Sequence, residues 1–210
     1  MVAKTKAAHR DAGELRAAEG VEGNARLTGA TAAVLFVLFA AEGVTILSIH
    51  TLVTPHVFIG LLMVPPVLVK IGSTSWRIGR FYLGSPAYRQ KGAPPTLLRL
   101  LGPVVVVLTA VVLGSGVALL FVGRSLEPDV MFVHKASFVL WFGSMAIHVL
   151  AHIVETAELA PRDWYARTRK DARGASARQW LLAVSLVAGV FLGILLIDRV
   201  GPFVASWPRG

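Results

Sequence analysis

Apolar residues gather into five runs separated by short polar stretches: about 27–49, 55–72, 97–122, 130–155 and 178–200. Each run is rich in Val, Leu, Ala, Phe and Ile. An α-helix rises about 1.5 Å per residue, and a hydrocarbon core is about 30 Å thick, so each run suits one crossing. The pattern predicts an all-α integral membrane bundle of five transmembrane helices, forming one domain over residues 27–210. Residues 1–26 mix Ala, Gly, Glu and Arg and read as a flexible, partly helical tail without a cleavable signal peptide. Pro65 and Pro66 stand in the middle of the second run and should kink it. The stretch 72–96 has no acidic residue, and its Trp76, Phe81, Tyr82 and Tyr88 are interleaved with Arg. That mixture suits a membrane interface, with docking of a partner or of a haem propionate as alternatives.

Composition sharpens this picture in two ways. Hydrophobic residues make up 55% of the chain, well above a soluble domain's share. There is no cysteine, which excludes disulfides, thiolate metal sites, iron–sulfur clusters and covalent c-type haem attachment. The net charge of +9 invites a nucleic-acid reading, but the distribution argues for lipid instead. Of the 21 Lys and Arg residues, 17 fall before the first run, between the second and third, or between the fourth and fifth. Only Arg124, Lys135, Arg199 and Arg209 fall on the other side. By the positive-inside rule the N-terminus is expected in the cytoplasm and the C-terminus outside.

Histidine carries the candidate chemistry. Of the six histidines, all but His9 in the polar tail lie in or beside the spans. Ionisable side chains inside a membrane are costly and mark function by default. His56 and His134 open the second and fourth spans, which run in the same direction, so both sit at similar depth near the outer surface. His134 and His148 are fourteen residues apart on one helical face, roughly 21 Å along the axis. Two neutral imidazoles from two helices can hold a six-coordinate haem b through its iron. The expected outer axial ligands are therefore His56 and His134. Fourteen residues beyond His56 stands Lys70, at the depth of His148 and His152. These three are the candidates for an inner haem, with His148 a metal ligand and Lys70 or His152 ligating or bonding a propionate. Gly60, Gly114 and Gly116 are expected to leave room for haem, although helix contact serves the glycines equally. Phe138, Trp141 and Met145 would fill the space between two haems or simply pack the core. His50, six residues before His56, is a rival ligand or a separate metal site. Glu42, Glu155 and His152 are candidate proton carriers at a quinol site.

Taken together, HVFIGL, LGSGVALLF and HKASFVLWFGSMAIHVLAH resemble the bacterial b-type cytochrome membrane proteins, such as the cytochrome b subunits of hydrogenase and formate dehydrogenase. The resemblance spans about residues 50–155. It implies an inner-membrane electron carrier that exchanges electrons with a quinone and a redox partner subunit. It also implies four histidines for two haems, and Lys70 stands where the fourth belongs. The alternative function is a non-redox membrane protein: an accessory subunit, a scaffold or a proton-coupled transporter.

Overall fold

In a computed structural model the chain is described over residues 2–90, 92, 96–159, 161 and 174–201. Among these residues every regular element is helical: α1 (Val2–Leu47), α2 (Ile49–Tyr82), α3 (Pro86–Gln90), α4 (Thr96–Leu119), α5 (Glu127–Leu159) and α6 (Ala175–Leu196), followed by a 3-10 turn, Ile197–Arg199. Five of the helices are long and apolar enough to cross a membrane, as the hydropathy pattern predicts. Their outward side chains are large and apolar, among them Val37, Val107, Phe132, Val139, Val187 and Phe191, all exposed. In water such surface would be a liability, whereas against lipid it is the ordinary condition.

The helices outrun the apolar runs. Residues 2–26 continue α1 without a break, consistent with the strong helix formers Ala, Glu, Lys and Arg in that stretch. Helix α2 runs ten residues beyond the second apolar run, so Trp76, Phe81 and Tyr82 stand on a helix rather than in a loop. Arg80 lies over the Trp76 ring at 5.7 Å. Pro65 and Pro66 keep helical dihedrals, and the break inside α2 falls at Leu52 (φ −110°, ψ 17°). Residues 49–52 form a single turn closed by the Ser48 carbonyl, which accepts from the N–H groups of Thr51 and Leu52. The long helix begins after that turn, and Pro55 occupies its first turn, where a missing N–H is tolerated.

Helix α2 is the centre of the arrangement, packed between α1 and α6, while α4 and α5 pack along each other and α5 touches α1. Helix α6 sits outside the other four. Gly189 lies directly against the backbone of Leu62, and a Cβ at Gly193 would fall 2.7 Å from the Phe58 ring. Ser185, Gly189 and Gly193 are all buried at spacings of four, the small-residue seam that lets two helices approach closely in lipid. Two apolar clusters hold the bundle. Val53, Leu61, Leu120 and Val200 close the end that carries His56. Leu35, Met63 and Val67 lie deeper.

Candidate functional site

Helices α1, α2, α4 and α5 enclose a mainly apolar cavity of about 2450 Å³. Ligand pockets usually hold about 300–1,000 Å³, so this space exceeds the needs of one small molecule. His56, His134, His148, His152 and Lys70 all line it, as do Gly60 and Gly116. The two ends differ, and they are named here by His56 and by Lys70.

At the His56 end, α2 and α5 bring His56 and His134 together. The ring centroids are 6.3 Å apart and the ring planes cross at 86°. Each ring is held by its Nδ1. His56 Nδ1 lies 2.9 Å from Thr45 Oγ1 and 3.2 Å from Glu42 Oε1. The Thr45 hydroxyl donates to the Glu42 carbonyl at 2.6 Å, so its lone pair is what faces the imidazole. His134 Nδ1 lies 2.9 Å from the Val112 carbonyl, which can only accept, and 3.2 Å from Ser115 Oγ. The Ser115 hydroxyl itself donates to the Val111 carbonyl at 2.6 Å. The His134 ring therefore carries its proton on Nδ1, and the partners of His56 accommodate the same tautomer; a neutral imidazole so fixed presents a bare Nε2. Anchoring the far nitrogen in this way is how proteins orient histidine ligands of metals.

The spacing can be tested against coordination. A metal–imidazole bond of about 2.0–2.1 Å, plus about 1.1 Å from ring nitrogen to ring centre, puts opposed ligands roughly 6.3 Å apart. The observed separation fits. Among the described residues no group of three His, Cys, Asp or Glu side chains is placed to hold a metal ion. Glu42 approaches the far nitrogen of His56 and is no third ligand. Two protein donors are too few for a bare tetrahedral ion but complete an iron already held by a porphyrin.

Glycine makes this end possible. A Cβ at Gly116 would fall 3.1 Å from His134 Cε1, so Gly116 gives room to the His134 ring itself. A Cβ at Gly60 would meet Glu42 Oε1 at 3.5 Å. Gly114 has a different place: it lines a shallow groove with Ala110, Ala118 and Val133, apart from the cavity. His50 is exposed and also lines the cavity, but the ring that meets His134 is that of His56.

Between the two ends the cavity is lined by a group of rings. Trp141 is buried, 4.8 Å from Phe39 and 6.3 Å from Phe138. Its Nε1 donates to Thr109 Oγ1 at 2.9 Å, and that hydroxyl donates to the Val105 carbonyl. Met63, 2% exposed, completes the layer. Trp141→Phe keeps most of the ring but removes the donor. It should cost about 1 kcal/mol, the usual net worth of one hydrogen bond, read as a lowered midpoint of thermal unfolding in detergent.

The Lys70 end is built on different lines. Lys70 Nζ donates to the Thr28 carbonyl at 2.9 Å, tying α2 to α1. Thr28 bonds Ser73 Oγ at 3.0 Å, and Asn24 donates to the Ser73 carbonyl. The rings of His148 and His152 lie 4.8 Å apart on α5. His148 Nδ1 is buried and has no hydrogen-bond partner among the described residues, so it lacks the anchor that both His56 and His134 possess. The side chain of Glu155 lies outside the described residues.

Thr45, Ser115 and the Val112 carbonyl are the site's unforeseen members. Only the three-residue spacing of Glu42 and Thr45 hinted at a shared helix face. No family model matches the chain, and neither a characterised protein nor a solved structure matches it significantly.

Proposed function

We propose that this chain is a b-type haem-binding membrane protein that transfers electrons, with His56 and His134 as axial ligands. The observation that carries the proposal is the pair of rings at ligand spacing, each anchored through Nδ1 with Nε2 left bare. Haem, when bound, supplies a reversible one-electron couple. The chain's part is to hold two imidazoles in one tautomer, keep water away with an apolar wall, and set the field around the iron. Glu42 contributes to that field, because its carboxyl lies against the ring of His56.

The likeness to bacterial cytochrome b subunits extends the proposal to a bacterial inner membrane, a quinone as electron donor or acceptor, and a redox partner subunit. The 17-to-4 distribution of Lys and Arg supports a cytoplasmic N-terminus. Electrons would then cross between the Lys70 side and a partner near the His56 end.

The test is a reduced-minus-oxidised spectrum of the full chain purified from haem-replete membranes. A b-type α band on adding dithionite is expected, with at least one haem per chain by pyridine haemochrome assay. A colourless preparation would sink the proposal. It would favour instead a non-redox membrane protein, in which Glu42 belongs to a polar path. The observation favouring that second reading is that Glu42 Oε2 is buried without a partner among the described residues.

A further inference from the structure

The planes of the two imidazoles carry information beyond their separation. A histidine ring turns about a torsion with broad wells, so the helix that bears it does not fix the ring plane. Neighbouring groups do. One turn of α4 holds His134: its Nδ1 donates to the Val112 carbonyl at 2.9 Å, with Ser115 Oγ 3.2 Å from the same nitrogen. The edge of the ring lies over Gly116, where a Cβ would meet Cε1 at 3.1 Å and Nδ1 at 3.5 Å. Gly116 lies inside α4 without a positive φ, so its backbone suits any residue and Ala would be the better helix former. The missing side chain therefore serves the ring. From the other side α1 holds His56, whose Nδ1 meets buried Thr45 at 2.9 Å and Glu42 at 3.2 Å. The two planes so held cross at 86°.

We propose that Gly116 and Thr45 are positioning residues that hold the planes of His134 and His56 at right angles, so that an iron between them takes crossed axial ligands. The inference rests on the haem reading and deepens it. Each imidazole donates π density into the iron d orbital that lies perpendicular to its own plane. Crossed planes engage two such orbitals equally and leave them close in energy, whereas parallel planes split them. Near-equal orbitals give low-spin ferric iron a strongly anisotropic magnetic moment. The groups around the axial histidines thus become a lever on the electronic state of the iron.

Electron paramagnetic resonance of the oxidised full chain, purified from haem-replete membranes, tests it. The wild type should show a single steep feature at low field in place of the resolved features of an ordinary rhombic spectrum. His56→Ala should abolish that feature, which assigns it to this end of the cavity. Gly116→Ala should keep the haem stoichiometry and move the feature to higher field, because the His134 ring must give way by a few tenths of an ångström. Thr45→Val should also move it, and Thr45→Ser, which keeps the hydroxyl, should return it to the wild-type position. Gly143→Ala, with nothing within 4 Å of its Cβ, should leave it in place. Circular dichroism and a single elution peak establish that each variant is folded; if Gly116→Ala fails, the two Thr45 variants decide alone. A rhombic spectrum in the wild type would overturn the proposal. So would an unmoved feature in both Gly116→Ala and Thr45→Val at full haem content. A protein without a b-type α band would sink the haem reading and this inference with it, whereas a red protein with a rhombic spectrum sinks this inference alone.

Discussion

On the haem reading proposed above, His134→Ala is expected to take haem content at the His56 end to near zero, and His56→Ala should do the same. The expectation follows from the donor count. Among the described residues the rings that meet there are those of His56 and His134, with centroids 6.3 Å apart, so deleting either would leave the proposed iron with one ligand and an open face. The pyridine haemochrome assay reads the loss directly. His152→Ala provides the contrast, since its ring lies at the far end beside His148. If both outer variants kept full haem content and unaltered midpoint potentials, the pairing would be wrong. Added imidazole should restore part of the haem signal in His134→Ala, because Gly116 leaves the vacated position open on the α4 side.

The second large effect concerns the outermost helix. Gly189 meets the Leu62 backbone directly, and backbone cannot rotate out of the way. Gly189→Val should therefore cost at least the upper part of the roughly 1–3 kcal/mol range of ordinary over-packing. Thermal unfolding in detergent should show a lower midpoint, and limited proteolysis should cut earlier near α6. Gly143→Val is the control: nothing lies within 4 Å of a Cβ there, so it should be close to neutral. Equal midpoints for the two variants would mean that α6 is not held through this seam.

Sequence and structure agree where a single physical cause dominates. Hydropathy places five helices because each run must satisfy its backbone within itself in lipid. It does not set their ends, and α2 reaches Tyr82 through IGSTSWRIGRFY, which has two glycines but no proline to stop a helix. Matched depth predicts that His56 and His134 meet, since two antiparallel-free helices entering from one side carry them at the same level. The anchors of those rings are not legible, because Thr45 and Val112 reach them from α1 and α4 through tertiary packing alone. Glycine is the least readable residue. Gly116, expected to leave room for haem or to serve helix contact, lies against the ring of His134, while Gly189 and Gly193 lay unnoticed in an apolar run without charge. A glycine's meaning depends on what stands opposite it, and a one-dimensional pattern does not contain that.

The Trp141 layer has a further consequence. With Phe39, Phe138 and Met63 it lines the one cavity between its His56 and Lys70 ends. Between one end and the other the wall presents conjugated rings and one thioether, with a single indole N–H committed to Thr109. Water finds few groups to bond there. On the electron-transfer reading proposed above, this layer would set aromatic side chains along the electron's way while offering a proton few groups to rest on.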